Sequence, residues 1–303
     1  MNNPESSYIY KIGGLCIKVL LKNNVLKLDQ TAGSYKFLLD TPETADADFV
    51  ISYSLVSGNK IPTDKPVFTG KSFDDNQIPY EWYVYEYKEY FSVLIKINDG
   101  ISSNIAVADF YLHKKIISVY LEPGITEQTL KIEPLFQPFG AILLNYITHF
   151  KGGILLHSSG VKDDKNGYVF SAVSGTGKST MAGLWQQKGG QIINDDRLIL
   201  IPRDDKIIMT NTPMPYYQDI YKESEVSVIF LLKQSPKNYI KPLAGVAGIT
   251  GLMSNCIQFL YNKDMVQKHL KTITNITKKC PVYEVGFLPT TEITDIIRDE
   301  FGG

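Results

Sequence analysis

The chain has 303 residues, of which 31 are Lys or Arg and 32 are Asp or Glu, so its formal net charge is −1. This length can bury two cores, and the balanced charge, without a signal-peptide pattern or a membrane-spanning run, favours a cytoplasmic protein of two domains with no nucleic-acid or membrane partner. The cysteines Cys16, Cys256 and Cys280 are far apart in the sequence, which predicts free thiols rather than disulfides or a zinc site.

Short apolar or alternating runs dominate the first 130 residues and are separated by turn residues. The runs are "YIYKIGGLCIKVLL", "ADFVISYSLV", "YEWYVYEYKEYFSVLIKI" and "IAVADFYLHKKIISVYLE". β-Branched and aromatic residues in this pattern predict strands joined by hairpins and loops. We therefore predict a mostly β domain over residues 1–133, with its tyrosines and phenylalanines used for core and cross-strand packing.

A second domain is predicted over residues 134–303. It begins with the run "PLFQPFGAILLNYITHF", whose helical apolar spacing after two prolines predicts one helix. Two strand patterns follow, "GGILLHSSGV" and "YVFSA", with "KDDKNG" as the turn between them. Further on, "VAGITGLMSNCIQFLYNKDMVQKHLKTITNITKKC" predicts helices that pack behind the core, and "TTEITDIIRDEFGG" predicts a terminal helix.

The stretch "SAVSGTGKSTMAGLW" directly follows the strand pattern "YVF" and matches a phosphate-binding loop except at Ala172, where the motif has its first glycine. In such loops the backbone N–H groups converge on phosphate, a lysine reaches the terminal phosphates, and a Ser or Thr hydroxyl coordinates magnesium. Alanine adds one methyl group, so we expect the loop to function. The predicted nucleotide-binding residues are Ser174, Gly175, Thr176, Gly177, Lys178, Ser179 and Thr180.

An acidic pair, Asp195 and Asp196, follows the next predicted strand in "GGQIINDDRLIL". Carboxylates beside a phosphate loop hold magnesium or accept a proton from an attacking hydroxyl. Two adjacent aspartates could divide these tasks, and the sequence leaves open which does which. His157 ends a predicted strand that should neighbour the strand before the loop, so it is a candidate for contact with the phosphates. His113, His149 and His269 are weaker candidates because they lie in apolar or amphipathic runs away from the motif.

Taken together, "LLHSSGV", "FSAVSGTGKST" and "GGQIINDDRLIL" resemble the catalytic domain of the HPr kinase/phosphorylase family, whose core is related to phosphoenolpyruvate carboxykinase. The resemblance covers residues 152–200 and continues more loosely through "TNTPMPY", "EVSVIFLLKQSPKNYIKPL" and "CPVYEVGFLP". It is greatest to divergent bacterial members in which this domain follows a β-rich region. It implies an α/β (α+β) fold class, with a P-loop domain of mixed sheet and packed helices after the mostly β domain.

The resemblance also implies roles for particular residues. Gly175, Gly177, Lys178 and Ser179 would bind the phosphates of ATP and magnesium; Asp195 or Asp196 would activate the acceptor or help to hold the metal; and His157 would lie by the phosphates. We take Asp195, Asp196, His157 and Lys178 as the candidate catalytic residues and Ser179 and Asp196 as the candidate Mg²⁺ ligands. The family often forms oligomers, so a homo-oligomer is a further expectation.

One segment departs from the family. The related bacterial proteins read Thr-Pro-Trp-x-Gly where this chain has "NTPMPYYQD", and the downstream signature for phosphorylase activity has no counterpart. We therefore do not expect HPr as the acceptor or the reverse reaction. The first hypothesis is an ATP- and magnesium-dependent kinase acting on a hydroxyl, such as serine of a protein or peptide, or a small molecule. The second is a nucleotide-binding or partner-binding module without catalysis, and the least favoured is a carboxykinase.

Overall fold

The computed structural model shows a mixed α/β protein, the fold class that the sequence predicts, with mixed sheets and five helices among the described residues. The chain forms two compact units, Met1–Lys11 with Leu15–Leu143, and Ile12–Gly14 with Leu144–Gly303. The division between 133 and 134 as a domain boundary stays a prediction. The residues that the structure describes are 6–40, 46–56, 60–71, 79–98, 103–122, 129–135, 138–213 and 219–302.

The first unit is rich in strands, as its alternating sequence predicts. Its described strands are β1 (Ser6–Ile12), β2 (Leu15–Leu21), β3 (Leu26–Leu28), β4 (Phe49–Leu55), β5 (Phe68–Lys71), β6 (Tyr80–Glu86), β7 (Phe91–Asn98), β8 (Ser103–Tyr111), β9 (Ile116–Leu121) and β10 (Leu130–Ile132). Eight of them form one sheet in the order β1-β2-β4-β9-β8-β7-β6-β5, and β3 pairs with β10. Every second residue of β2 is buried, which gives the sheet one core face.

The sequence predicts the aromatic packing of this sheet but not the pairing of its strands. The aromatic side chains pack inside, as expected: Tyr10 and Tyr53 are fully buried, and the rings of Phe91 and Phe110 stack across β7 and β8 with centroids 4.8 Å apart. By contrast, β4 pairs in parallel with both β2 and β9. Parallel neighbours need crossover connections, which the predicted hairpins do not supply.

The second unit is built on a nine-stranded mixed sheet, in the order β16-β15-β14-β11-β12-β17-β19-β18 with β13 beside β11. Among the described residues, no helix is long and apolar enough to cross a bilayer. The strands are β11 (Ile154–Asp163), β12 (Asn166–Ser171), β13 (Gln191–Asn194), β14 (Arg197–Arg203), β15 (Lys206–Asn211), β16 (Glu223–Glu225), β17 (Val228–Gln234), β18 (Tyr239–Pro242) and β19 (Val282–Phe287). The helices are α1 (Phe139–Phe150), whose residues up to Leu143 belong to the first unit, α2 (Lys178–Gln187), α3 (Val246–Met253), α4 (Lys263–Lys279) and α5 (Glu292–Phe301).

The predicted limits of two strands are corrected by the structure, whereas helix α1 begins at Phe139, directly after the second of the two prolines, as the sequence predicts. Strand β11 continues to Asp163, and β12 begins at Asn166, so the predicted six-residue turn is much tighter. His157 therefore lies inside β11 rather than at its end. Ladder partners on both edges extend this strand beyond its apolar run.

The helices of the second unit cover both faces of the sheet, so the unit has two apolar cores. On one face, Leu252 of α3 and Ile273 and Ile276 of α4 pack against the sheet, as predicted for helices behind the core. On the other face, Met181 and Trp185 of α2 join Ile293 and Ile297 of α5. This second core positions α2, and hence the loop that precedes it.

The cysteines are free thiols, as predicted. Burial raises the pKa of the Cys256 and Cys280 thiols to about 12. A thiol with such a pKa stays protonated near neutral pH and is therefore a weak nucleophile. This agrees with a packing role for these two side chains.

Two histidines form a buried pair between α1 and α4. His149 and His269 are 6% and 2% exposed, and their ring centroids are 6.1 Å apart. Nδ1 of His149 and Nε2 of His269 have no hydrogen-bond partner in the described part of the chain. Burial, with the charge of Lys268 and the neighbouring His269, lowers the pKa of His149 to about 4, and burial also lowers the pKa of His269.

We predict that this pair makes the protein sensitive to acid. The unfolded chain binds a proton at His149 near pH 6.5, but the folded chain does so only near pH 4, so stability is lost as the pH falls through this range. Between pH 7.5 and pH 5 the loss from His149 is on the order of 2 kcal/mol. Thermal unfolding followed by circular dichroism at about pH 5 and pH 7.5 measures it. His149→Gln should reduce the difference between the two midpoints, whereas the exposed His113→Gln should preserve it; an unchanged difference in His149→Gln contradicts the prediction.

Arg298 fixes α5 to the β11–β12 turn and to the end of α2. Its Nε and Nη2 donate to the two carboxylate oxygens of Asp163 at 2.8 and 2.7 Å, and Nη2 also donates to the Lys188 carbonyl at 2.9 Å. The guanidinium carbon lies 5.2 Å from the Trp185 ring centroid. The planar guanidinium makes all these contacts together, which an ammonium group cannot do.

We predict that Arg298→Lys lowers the free energy of unfolding by about 1–3 kcal/mol, because the two-point contact with Asp163 and the ring contact are lost. Denaturant unfolding measures the change. Lys206→Ala serves as the control, since Lys206 pairs with Glu225 at 2.6 Å on an exposed surface and should matter by less than about 1 kcal/mol. Equal effects of the two substitutions would refute the role given to Arg298.

Candidate phosphate-binding site

The loop Ala172–Gly177 connects β12 to α2. Strand β12 is parallel to β17, and β17 is parallel to β19, so the loop lies at the carboxyl ends of three neighbouring parallel strands. In α/β sheets this edge is the usual place for ligands. The amide of Gln234, at the end of β17, donates to the Gly175 carbonyl at 3.3 Å and joins the loop to the neighbouring strand.

The loop has the backbone conformation for which its glycines are needed. Gly175 has φ +77° and Gly177 has φ +113°, both in the range that side-chain-bearing residues rarely adopt. A Cβ at Gly175 would meet no atom within 4 Å, so the space above this residue is open. Ala172 follows the last residue of β12 and is 4% exposed in the core formed with α2. Its methyl group therefore fills core space rather than the open side of the loop.

The N-terminus of α2 presents uncapped backbone donors. Gly177 is the N-cap and provides no side-chain cap, and the first bond into the helix is from Met181 N–H to the Gly177 carbonyl at 2.9 Å. The N–H groups of Lys178, Ser179 and Thr180 precede that bond. Such groups, together with the helix dipole, favour an anion. Ser174, Ser179 and Thr180 are exposed, so their hydroxyls are accessible.

Lys178 points back into its own loop. Its side chain is 7% exposed, and Nζ donates to the carbonyls of Ala172 at 3.1 Å and Val173 at 3.3 Å. Burial lowers the pKa of Lys178, and the charges of Asp196 and Asp195 act in the opposite direction. The ammonium group is therefore held at the loop, within the electrostatic influence of the two carboxylates.

The acidic pair interrupts a long pairing along one edge of β11. Gly160 pairs with Asn194 and His157 pairs with Arg197, so the register is continuous across Asp195 and Asp196. Oδ1 of Asn194 accepts the N–H of Asp196 at 2.9 Å and of Arg197 at 3.3 Å, and the Asp196 carbonyl accepts the Ser158 N–H at 3.0 Å. These bonds replace the missing strand hydrogen bonds and fix the pair next to β11.

The two aspartates have different surroundings. Asp196 lies between two side-chain nitrogen atoms, with Oδ1 3.4 Å from His157 Nε2 and Oδ2 3.2 Å from Arg197 Nε. Burial would raise the pKa of Asp196, but the His157 hydrogen bond and the charges of Arg197, His157 and Lys178 outweigh it, and the net shift is downward. The pKa of Asp195 is shifted upward instead. Burial is the main cause of this shift, and a hydrogen bond with Ser179 acts in the opposite direction. Its Oδ1 is buried without a partner in the described residues.

These residues fit a nucleotide phosphate with magnesium. The described residues contain no group of three or more His, Cys, Asp or Glu side chains arranged for a metal ion. Magnesium bound with phosphates needs only one or two protein oxygens, because the phosphates and water supply the remainder. The oxygens here are the exposed Ser179 hydroxyl and the carboxylates of Asp195 and Asp196, one of which has a buried oxygen without a partner.

The structure brings together four of the predicted residues around the loop: Lys178, Asp195, Asp196 and His157. The weaker histidine candidates lie elsewhere, since His113 is exposed in the first unit and His149 pairs with His269. The sequence reasoning missed Asn194 and Arg197, which flank the acidic pair. An asparagine immediately before two aspartates was a signal for a side-chain-to-backbone turn. In the segment "NTPMPYYQD", residues 214–218 lie outside the described residues, while Thr212 accepts the Asn194 amide at its carbonyl, 3.4 Å away.

No protein-family model matches this chain, and no curated protein matches it. Among the solved structures that match is the HPr(Ser) kinase/phosphatase from Coxiella burnetii, with 13% sequence identity. The match covers 49% of this chain and 99% of that chain, with a TM-score of 0.30. A match at this level supports no conclusion on activity.

We predict that the Asn194 amide maintains the acidic turn. Asn194→Ala leaves two part-buried N–H groups without their acceptor and should cost about 2–4 kcal/mol in the free energy of unfolding, as measured by denaturant titration. Asn238→Ala is the matched control, because Asn238 Oδ1 also accepts a backbone N–H, that of Leu288 at 2.8 Å, but at an exposed position. It should be less destabilising than Asn194→Ala; the reverse order would contradict this account of the turn.

Proposed function

We propose that the second unit binds ATP with magnesium at the Ala172–Gly177 loop and transfers the γ-phosphoryl group to a hydroxyl. The observation that carries the proposal is the position of Lys178: it begins a helix with no side-chain cap, its ammonium group contacts the loop carbonyls, and it interacts electrostatically with Asp195 and Asp196. Phosphoryl transfer mainly needs positioning and charge stabilisation, and no covalent nucleophile. Serine of a protein or peptide, or a hydroxyl of a small molecule, is the acceptor class we propose.

In this proposal each polar group has one task. The backbone N–H groups at the start of α2 and the Lys178 ammonium bind the phosphates, so Nζ exchanges its two loop carbonyls for phosphate oxygens. Magnesium, when bound, neutralises charge on the phosphates, and Ser179 and Asp196 are its proposed ligands. Asp196 suits this because His157 and Arg197 orient its carboxylate.

Asp195 is the proposed base. Its Oδ1 has no protein partner, so it is available to accept the proton of the acceptor hydroxyl. That proton transfer makes the acceptor oxygen more nucleophilic as its bond to the phosphorus forms and the bond from the phosphorus to ADP breaks. His157 lies on the other side of Asp196 and adds a further polar group beside the phosphates.

A second candidate function is nucleotide binding without transfer. The contact of Lys178 Nζ with its own loop carbonyls favours it, since these contacts must be given up before the lysine can bind phosphate. A binding module needs the loop but has no use for a base at Asp195. Binding of ATP without phosphoryl transfer to any acceptor in a broad screen would favour this alternative.

The first test is calorimetric ATP binding with and without magnesium. We expect binding to depend on magnesium and to weaken roughly 10- to 100-fold in Lys178→Ala, because the loss removes charge-assisted contacts with phosphate. Lys188→Ala is the control, since Lys188 follows the same helix and pairs with the exposed Asp295 at 3.0 Å. A folded wild-type protein that does not bind ATP overturns the proposal, as does equal affinity in wild type and Lys178→Ala.

A further inference from the structure

The carboxylate of Asp196 is held at both of its oxygens. His157 Nε2 lies 3.4 Å from Oδ1, and Arg197 Nε lies 3.2 Å from Oδ2. The Arg197 side chain is 18% exposed, so a guanidinium is placed in a largely buried position. Burying a guanidinium costs free energy unless its charge is paired. The next residues of β14, Leu198 and Ile199, are buried and apolar, so the strand also accommodates apolar side chains here.

The backbone at Arg197 does not depend on this side chain. Its N–H donates to Asn194 Oδ1 at 3.3 Å, and its carbonyl accepts the Thr212 hydroxyl at 3.1 Å. Its ladder partner on β11 is His157. Three separate backbone contacts therefore maintain the end of β14. The guanidinium itself contacts the Asp196 carboxylate.

We propose that Arg197 is a positioning residue for the nucleotide-bound metal. The inference rests on the proposed function, in which Asp196 is a magnesium ligand. Arg197 and His157 hold the two oxygens from either side, so the carboxylate is fixed in orientation before the metal arrives. Each carboxylate oxygen has a second lone pair for a metal. Replacing a group that orients a metal ligand typically lowers metal affinity or activity 10- to 100-fold.

The test uses the full chain and ADP as the probe, with calorimetric affinity measured over a series of Mg²⁺ concentrations. Arg197→Met retains most of the apolar stem but has no charge or donor, and Arg197→Lys retains the charge without the fork. We expect the Mg²⁺ concentration for half-maximal ADP binding to rise about 10-fold or more in Arg197→Met, and less in Arg197→Lys. Circular dichroism of the ligand-free variants reports whether the fold is retained.

The matched control is Arg203→Met. Arg203 lies at the other end of the same strand and pairs with Glu223 at 3.1 Å, so its replacement removes an ion-paired arginine of β14 away from the loop. A raised magnesium requirement in Arg197→Met with none in Arg203→Met supports the inference. Wild-type magnesium dependence in a folded Arg197→Met overturns it and leaves the proposed function intact. Absence of ADP binding by the wild-type protein overturns both. If Arg197→Met does not fold, Arg197→Lys decides by the same comparison.

Discussion

The pairing of β11 on both edges is the constraint on which the candidate site depends. On one edge, β12 pairs with it up to Ser158, where the chain leaves as the Ala172–Gly177 loop. The bonds from His157 N–H to the Asn255 carbonyl at 2.9 Å and from Ile257 N–H to the Leu155 carbonyl at 2.8 Å then satisfy the vacated edge. On the other edge, Asn194 at the end of β13, the acidic pair and β14 follow in one register. One strand thus brings the loop, the histidine and the aspartates together.

Charged groups of the site are compensated by neighbouring side chains. Lys178 is buried and its carboxylate neighbours Asp195 and Asp196 partly compensate for that burial. Asp196 in turn is compensated by His157 and Arg197. Asp195 is left with the least compensation, and this is why its pKa is raised where that of Asp196 is lowered. An additional cation near Asp195 would relieve this imbalance, and magnesium supplies such a charge in the proposed function.

Much of the second unit could be predicted because local patterns determine it. Apolar runs predict β11, β12, β13 and β14 to within a few residues. Glycine is needed at positions 175 and 177 because the local loop conformation has positive φ values there. Helices α2, α4 and α5 follow from their apolar spacing. The extent of β11 was misjudged, because ladder partners distant in sequence decide where this strand ends.

The sequence by itself determined the residue types at the candidate site: a glycine-containing loop, a lysine, a histidine and two adjacent aspartates. Only the tertiary structure decided how the two aspartates differ, because the difference comes from groups that the fold brings near them. His157 approaches Asp196 through the pairing of β11 with β14, whereas Oδ1 of Asp195 is buried without a partner. The parallel pairing of β4 in the first unit was likewise beyond the sequence, since alternation sets which residues are buried but not which strand lies alongside.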